Sequence, residues 1–173
     1  MAKKVLILSS SLRPDSNSEQ LAREAGRGAL EAGNDVEVLS LAGRDIRYCE
    51  GCMACHRLLY CPIQDDANDL IKKVQEADAV VFASPIYYYD ICGQLKTFLD
   101  RTNPLYGQPY RFRDIYLITV SADDAPDTAK RPIDPRWLDL LLRQGPLCRR
   151  LQRRRHERSQ CCRKSPAMVA ESL

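Results

Sequence analysis

The sequence predicts an α/β domain built on a doubly wound parallel sheet, and three observations favour this class. Short apolar runs alternate along the chain with segments of helical periodicity, which is the pattern of parallel strands joined by helices. No internal repeat and no low-complexity segment occur before residue 143. The chain has 173 residues, of which 45% are hydrophobic and 28% charged, so it can bury the core of one ordinary globular domain.

Four short segments are predicted as the strands of this sheet. Residues 4–8 form a continuous apolar run, as expected of a strand that is buried on both faces. The second segment alternates and is rich in valine, which also favours a strand. In chain order, the predicted strands are residues 4–8, 35–41, 79–84 and 114–121.

Three segments between these strands are predicted as helices, at residues 17–33, 65–78 and 93–102. Ser16 followed by Glu19 is a capping-box signature and marks the start of the first helix. Strands that alternate with helices pair in parallel through right-handed crossovers. In such sheets ligands bind beyond the carboxyl ends of the strands, so the loops after the first, third and fourth strands are the candidates for a site.

The loop after the first strand, residues 9–19, has the composition of an anion site. It carries five serines, one asparagine and Arg13 directly before a helix, whose N-terminus offers free N–H groups and a partial positive charge. The loop has no glycine, so it lacks the fingerprints of dinucleotide and nucleoside triphosphate sites. Hydroxyl groups suit a terminal monophosphate, and a polar surface loop with a good helix cap is the alternative.

The loops after the third and fourth strands contain side chains that suit a flat ligand. Three successive tyrosines, residues 87–89, follow a proline where a loop should be polar. Their rings can cover such a ligand, pack against a neighbouring subunit, or do both. Ser121 ends the fourth strand and leaves room for a ring to approach the backbone.

Four cysteines follow the second strand in the pattern C-x2-C-x2-C-x5-C, at Cys49, Cys52, Cys55 and Cys61. The x2 spacings are those of the bacterial ferredoxin run, which binds an iron–sulfur cluster. A cluster, a structural zinc ion, and redox-active or vestigial thiols all remain open from the residues alone.

We expect a cytoplasmic protein, and this expectation disfavours disulfides. The apolar run near the N-terminus, Val5 to Leu8, is too short for a signal peptide. No apolar run approaches the length of a membrane span. Disulfides seldom persist in the cytoplasm, so eight cysteines favour metal or redox chemistry.

Three linked stretches, "KVLILSSSLRPDSNSEQL", "YCEGCMAC" and "ASPIYYYDICGQLKTFLDR", resemble the flavodoxin-like NAD(P)H-dependent FMN reductases, and within them the iron–sulfur flavoprotein group. The likeness covers roughly residues 3–125 and implies a flavodoxin-like fold that holds FMN without a covalent bond. By matching motif positions, the FMN phosphate would be held by Ser9, Ser11, Arg13, Ser16, Asn17 and Ser18. The isoalloxazine ring would be lined by Pro85, Ile86, Tyr87 and Tyr88, with Ser121 on its other side.

The resemblance also implies a function for the cysteines and for the whole protein. The x5 gap is similar to that of the iron–sulfur flavoproteins, which implies one 4Fe-4S cluster on Cys49, Cys52, Cys55 and Cys61. The protein would be an oxidoreductase that passes electrons from NAD(P)H through FMN to a small-molecule or protein acceptor. No side chain is assigned as catalytic, because the flavin carries the chemistry.

Two alternatives to this function are a one-electron transfer flavoprotein without NAD(P)H reductase activity of its own, and a non-catalytic nucleic-acid-binding protein that uses an Arg-rich tail. The net charge of −4 on residues 1–142 argues against the second alternative. The three tyrosines lead us to expect a homo-oligomer. We expect no membrane association and no nucleic-acid partner.

The end of the chain differs from the rest in charge. Residues 143–173 carry eight Arg and one Lys against two acids. We therefore divide the chain into a flavodoxin-like FMN-binding domain, residues 1–142 with the cysteine motif at 48–62, and an anomalous basic tail, residues 143–173. The sheet needs a fifth strand rich in Val, Ile and Gly, and we expect that strand to be missing or disrupted because the tail has no apolar run.

Two hypotheses describe the tail, beyond a short helix that we expect around Trp137 to Leu142. It is either a basic arm for nucleic acid or anionic membrane, or an out-of-frame translation that begins between Asp127 and Cys148. If the arginines are CGN codons, reading one base later turns each of them into Gly, Ala, Val or Asp. That shifted frame would admit the small apolar strand and the glycine-rich turn.

Overall fold

The computed structural model describes residues 1–131, apart from six positions, and the backbone of residues 148–154. The six positions are Gly107, Tyr110, Phe112, Arg113, Asp124 and Pro126. The elements in chain order are β1 (Lys4–Ser9), α1 (Asn17–Glu31), β2 (Asp35–Ser40), α2 (Cys55–Leu58), α3 (Ala67–Glu76), β3 (Ala79–Tyr87), β4 (Asp90–Ile91), α4 (Gly93–Arg101), β5 (Asp114–Ser121) and β6 (Cys148–Arg154). A single 3₁₀ turn, Asn103–Leu105, follows α4.

The main strands form one sheet in the order β2-β1-β3-β5-β6, with every neighbouring pair parallel, while the short β4 pairs antiparallel with the end of β3. This is the flavodoxin-like strand order, and the predicted doubly wound parallel sheet is confirmed. The chain leaves β1 towards β2 on one side and returns to β3 on the other. The loops at the carboxyl ends of β1 and β3 therefore diverge and open a crevice.

Both faces of the sheet are covered, which explains why the strands read as continuous apolar runs. On one face Leu6, Leu8 and Phe82 pack with α3 and α4. On the other face Ile7 and Val81 pack with α1. Within the described parts of the chain, no helix combines the length and the apolar character that a membrane span requires.

The close approach of α1 to the sheet depends on a glycine. A Cβ atom added at Gly26 would lie 2.9 Å from Val38 Cγ2 and 3.4 Å from Ile7 Cδ1, distances that a well-packed interface does not accommodate without movement. The helix ends two residues earlier than predicted. Gly33, at a φ of +84°, takes the left-handed conformation that commonly follows a helix.

Other predicted boundaries also move. The helix predicted at 65–78 is Ala67–Glu76, because the two aspartates before it bond to another part of the chain. The third strand continues three residues beyond its predicted end at residue 84 and turns back into β4. The structure places β5 at its predicted position. Neither α2 nor β4 was expected from the sequence.

The expectation that the fifth parallel strand would be missing is wrong for the backbone of residues 148–154. These residues pair in parallel with β5, from Ile115 opposite Cys148 to Ser121 opposite Arg154. The expectation judged the segment by its side chains, whereas the backbone makes the ladder hydrogen bonds. The segment lies at the end of the strand order, beside β5.

The rest of the predicted tail, including the helix expected around Trp137 to Leu142, lies outside the described residues. The frame-shift hypothesis now depends only on the composition of the tail, because the strand that it would restore is present in the backbone.

A buried ion pair joins the end of α4 to the segment before α3. Arg101 Nη1 donates to Asp65 Oδ2 at 2.6 Å and Nη2 donates to Oδ1 at 3.0 Å, and both side chains are fully buried. Burial raises the pKa of the Asp65 carboxyl, but hydrogen bonds from Arg101 and from the backbone of Arg47 and Ala67 outweigh it and hold the pKa below its usual value. The carboxylate is therefore charged in the folded protein at neutral pH.

We predict that Asp65→Asn lowers the free energy of unfolding at pH 7 by about 3–5 kcal/mol, because it leaves the Arg101 charge buried without its partner. The folded pKa of Asp65 lies below the unfolded value of about 3.9. The wild type therefore keeps this stabilisation above that pH and loses it as the pH falls through the folded pKa. Denaturant titrations at several pH values should show the two proteins converging in acid.

Asp100→Asn is the matched control, since Asp100 pairs with Lys96 in solvent. Its effect should stay within about 0.5 kcal/mol of wild type. An equally small effect of Asp65→Asn would show that the buried pair does not stabilise the fold.

The turn between β3 and β4 is strained by its sequence. Tyr87 pairs with Asp90, so Tyr88 and Tyr89 are the two central residues, and both have positive φ, at 50° and 65°. A two-residue hairpin turn of this kind is normally occupied by Asn-Gly, because larger side chains disfavour the left-handed conformation.

We predict that replacing the pair by Asn-Gly, as Tyr88→Asn with Tyr89→Gly, raises the free energy of unfolding by about 1–3 kcal/mol, because non-glycine residues held at positive φ store that much strain. Thermal unfolding of the double variant checks this. The reversed pair, Tyr88→Gly with Tyr89→Asn, should gain a similar amount, whereas a loss of stability in both would show that the tyrosine side chains contribute more than the turn costs.

Candidate functional site

The crevice beyond the carboxyl ends of the strands contains a cleft of about 210 Å³. Its lining comes from the loop before α1 with the first residues of that helix, from the end of β3, and from the end of β5. The lining residues are Ser11, Arg13, Ser16, Asn17, Ser18, Pro85, Ile86, Tyr87, Val120, Ser121 and Ala122. The structure thus brings together nine of the eleven residues that the resemblance implied for FMN.

The polar part of this lining lies at the N-terminus of α1. Ser16 is the N-cap residue, as predicted, and its Oγ accepts a hydrogen bond from Glu19 N at 3.2 Å. The same Oγ lies 3.2 Å from the Oγ of Ser18, and both serines are buried. The helix cap therefore fixes two hydroxyl groups beside backbone N–H groups of the first turn, which have no partner inside the helix and attract anions.

Arg13 supplies positive charge to the lining. It lies in the loop between β1 and α1, where its backbone N donates to Ser11 Oγ at 3.3 Å. Two residues later Asp15 has a φ of +49°, which turns the chain towards the helix. The described lining contains no carboxylate. A negatively charged group in the cleft would therefore meet hydroxyls, a helix N-terminus and a guanidinium.

The apolar part of the lining comes from the ends of β3 and β5. Pro85, Ile86 and Tyr87 line the cleft, but Tyr88 does not, because the hairpin turn leaves its side chain 99% exposed. Val120 and Ala122 also line the cleft and were missed by sequence reasoning. They flank Ser121, which was predicted to lie beside the ring, so their position in the sequence could have predicted that they line the cleft as well.

Ser9 and Ser10 come just before the lining loop but are not themselves among the residues that line the cleft. Ser9 ends β1, is 1% exposed, and its Oγ has no hydrogen-bond partner among the described residues. Ser10 N and Ser10 Oγ both donate to Ala83 O at 2.9 Å, and Cys92 Sγ donates to Ser10 Oγ at 3.1 Å. Ser10 therefore holds the start of the loop against β3, a positioning contact that the sequence did not reveal.

A second cleft of about 340 Å³ lies beside the loop after β2 and the start of α4. It is lined by Leu12, Leu41, Gly43, Arg44, Ile46, Tyr48, Gly93, Gln94 and Thr97. Although it is larger, it lacks the hydroxyl-rich loop and does not reach the ends of β3 and β5. The smaller cleft is therefore the better candidate for an anionic ligand with a flat ring.

The four cysteines of the motif fall into two classes. Cys49 and Cys52 are exposed on the chain before α2, whereas Cys55, the first residue of α2, and Cys61 are buried. Across the described residues, no three Cys, His, Asp or Glu side chains are gathered closely enough to hold a metal ion. The donor types suit an iron–sulfur cluster or a zinc ion, and in this structure the four side chains are not gathered around one point.

The buried thiols have specific neighbours. Burial raises the pKa of the Cys55 thiol, and the nearby Cys61 and Cys49 raise it further, while a hydrogen bond from Asn103 Nδ2, at 3.5 Å, opposes the shift. Net, the Cys55 pKa lies above its ordinary value. In the metal-free protein this thiol is therefore protonated at neutral pH and a poor nucleophile.

Residues 3–129 match the family model described as NADPH-dependent FMN reductase. The chain is 40% identical over 102 residues to an iron–sulfur flavoprotein of Methanocaldococcus jannaschii, covering 59% of this chain and 53% of that one. It is 36% identical over 93 residues to an iron–sulfur flavoprotein of Archaeoglobus fulgidus, covering 54% and 42%. The chain thus spans about half the length of these curated relatives.

Among solved structures, the NAD(P)H:quinone oxidoreductase from Methanothermobacter marburgensis has a TM-score of 0.73 to this chain, covering 99% of it and 92% of that protein, at 15% identity. At that identity the likeness shows the fold. The family match covers more than half of the chain, and it includes every described residue that lines the cleft. The chain therefore belongs to the NADPH-dependent FMN reductase family.

Proposed function

We propose that the protein is an FMN-dependent oxidoreductase that takes electrons from NAD(P)H and passes them to a small-molecule or protein acceptor. The observation that carries this proposal is the cleft at the N-terminus of α1. There, hydroxyl groups and Arg13, which can bind an anion, lie next to apolar residues from the ends of β3 and β5. Membership of the family supports the same activity.

The phosphate of FMN would be held by the polar part of the cleft. Ser11, Ser16 and Ser18 offer hydroxyl groups, Asn17 an amide, and Arg13 a guanidinium. A single phosphate matches this set because its oxygens accept hydrogen bonds from several donors at once. Ser9 would support the start of the loop rather than touch the phosphate, since it is not among the residues that line the cleft.

The isoalloxazine ring would lie against the apolar part of the cleft, along Pro85 to Tyr87 on one side and Val120 to Ala122 on the other. The cleft volume of about 210 Å³ is below the range of about 300–1,000 Å³ that is usual for small-molecule sites, so part of the ligand would lie outside it. The exposed Tyr88, which follows the lining residue Tyr87, would cover that part. Bound FMN would supply the redox chemistry, and the protein would supply position and a partly dry environment.

We predict that the protein binds FMN in preference to FAD, and that Arg13→Ala with Ser18→Ala weakens FMN binding by about 1.5–3 kcal/mol for each lost hydrogen bond to the charged phosphate. Titration of the flavin-free protein, followed by quenching of flavin fluorescence, measures the affinity. Riboflavin has no phosphate, so its affinity should be nearly the same in the double variant and the wild type.

Arg44→Ala, in the second cleft, is the control and should leave the FMN affinity unchanged. If the double variant binds FMN as tightly as wild type, the phosphate assignment is wrong. If the wild type binds no flavin and shows no flavin absorption bands, the proposed function itself is wrong.

We further propose that the four motif cysteines bind one 4Fe-4S cluster, which requires Cys49 and Cys52 to move towards the buried Cys55 and Cys61. The spacing of the cysteines and the names of the two curated relatives support this proposal. With such a cluster the protein would be suited to one-electron acceptors.

Anaerobic reconstitution with iron and sulfide should then give about four irons per chain, the content of one such cluster. Cys52→Ala should abolish iron binding, whereas Cys92→Ala should retain it, because Cys92 is a buried core residue outside the motif. Recovery of zinc, or of no metal, would leave a flavin reductase without a cluster.

Assembly and location are also proposals. Tyr87 to Tyr89 are all exposed beside the cleft, and we propose that they contact a second copy of the chain in a homo-oligomer. The five cysteines whose side chains the structure describes are free thiols, the state that a reducing cytoplasm maintains. Light scattering of the wild type and of Tyr88→Ala would test the assembly.

A further inference from the structure

The cysteine segment, residues 48–62, is closed at its base by the protein itself. We use the name neck for the two stretches that flank it, Asp45–Arg47 and Ile63–Asp66. Asp45 N donates to Asp66 Oδ2 at 2.9 Å, and Asp66 N donates to Asp45 O at 3.0 Å. The two stretches therefore lie side by side, and the segment between them is a compact loop whose ends meet.

Arg101, the last residue of α4, lies between the two stretches of the neck and forms hydrogen bonds to both of them. Its Nη1 donates to Arg47 O at 2.8 Å, before the segment, and its Nη2 donates to Ile63 O at 3.3 Å, after it. The same two nitrogens form the bidentate pair with Asp65. One planar guanidinium thus joins the two ends of the segment to the C-terminal end of α4.

Asp65 completes this arrangement. Besides Arg101, its Oδ2 accepts from Arg47 N at 2.9 Å and its Oδ1 accepts from Ala67 N at 3.0 Å. Both carboxylate oxygens therefore have two donors each, and the charge is fully compensated despite complete burial. The pair is specific to the neck, because each partner also bonds the backbone of Arg47.

The buried cysteines are attached to the same framework. Asn68 Oδ1 accepts from Cys61 N at 3.1 Å, and Asn68 Nδ2 donates to Cys61 O at 2.9 Å. Asn103, two residues beyond Arg101, donates to Cys55 Sγ.

The other two cysteines have no comparable attachment. Cys49 and Cys52 are exposed, and the residues that follow them include Gly51 at a φ of +65° and Met53 at +55°. No hydrogen bond from a side chain to the backbone of either cysteine occurs among the described residues. The part of the segment that carries Cys55 and Cys61 is therefore held by side-chain hydrogen bonds, whereas the part that carries Cys49 and Cys52 is not.

We propose that Arg101 is the positioning residue of the cysteine segment: through Asp65 and the carbonyls of Arg47 and Ile63 it keeps the segment closed without a metal and holds Cys55 and Cys61 in place. Cys49 and Cys52 are then the pair that an incoming metal, cluster or thiol reagent meets first. This arrangement does not depend on the proposed cluster, because only protein groups make it.

The energetic reason is the cost of closing a loop. Holding the ends of a segment of this length together costs conformational entropy, which a bound metal would otherwise have to offset. The four hydrogen bonds from the buried Arg101 guanidinium offset this loss of conformational entropy before any ligand binds. Lysine could not replace it, because an ammonium group cannot bind a carboxylate through two parallel bonds and reach two carbonyls.

The test is the rate at which each cysteine is alkylated by iodoacetamide in reduced, metal-free, full-length protein, resolved by peptide mass spectrometry. In the wild type, Cys49 and Cys52 should react on the order of 100-fold faster than Cys55, Cys61 and Cys92, because the latter require local opening. In Arg101→Met, Cys55 and Cys61 should react at least roughly tenfold faster than in wild type, while Cys92 stays protected.

Two further variants separate this role from a general loss of stability. Arg101→Lys should expose Cys55 and Cys61 nearly as much as Arg101→Met, because charge alone does not close the neck. Arg57→Met, in α2 within the segment, should behave as wild type, since that exposed side chain does not reach the neck. Equal exposure of Cys92 in the Arg101 variants, or full protection in Arg101→Lys, would overturn the proposal.

Amide hydrogen exchange of the wild type provides a measurement that needs no variant. The N–H groups of Arg47 and Asp66 donate to acceptors in the neck, and that of Cys61 donates to Asn68 Oδ1 in α3. All three should be protected from exchange in the metal-free protein. If these amides exchange at the rate of an unstructured chain, the neck is open without metal and the proposal is wrong. If the neck is closed but no iron binds on reconstitution, the proposed cluster fails and the positioning role stands.

Discussion

The buried contact between Asp65 and Arg101 is the interaction on which the architecture around the cysteines depends. Two fully buried charges are stable only when the geometry is good and the remaining donors and acceptors are satisfied. Here the carboxylate has four donors, and the guanidinium uses Nη1 and Nη2 twice each, leaving only Nε without a partner in the described part of the protein. The pair thereby holds the 15-residue cysteine segment as a fixed attachment of the domain.

The candidate flavin site depends on a different constraint, the reversal of strand order between β1 and β3. Parallel strands at that point send their loops apart, and the Ser10 contacts to Ala83 hold the base of one loop against the neighbouring strand. The cap at Ser16 then directs the first turn of α1 into the opening. Topology thus makes the crevice, and local hydrogen bonds decide which side chains line it.

The features that sequence reasoning reached are local ones. The cap at Ser16 is predicted from four consecutive residues, 16–19. The strand β5 is predicted from its own apolar run, whatever strands it pairs with. Arg101 was beyond reach because its partners lie 36 and more residues away and the sequence marks it only as the charged end of a helix. The strand at 148–154 was misjudged for a related reason, since its pairing with β5 depends on the backbone and on an edge position that only the assembled sheet defines.

The two candidate sites are connected through a single helix. Cys92, the N-cap of α4, donates its N–H to Ser84 Oγ and its thiol to Ser10 Oγ, at the start of the loop that lines the candidate flavin cleft. Arg101, the last residue of the same helix, binds the neck of the cysteine segment. Nine residues of α-helix rise about 13 Å, and both ends are held by buried contacts. Because a helix of that length is rigid, the separation between the candidate flavin cleft and the buried cysteines is set by α4 rather than by the surrounding loops.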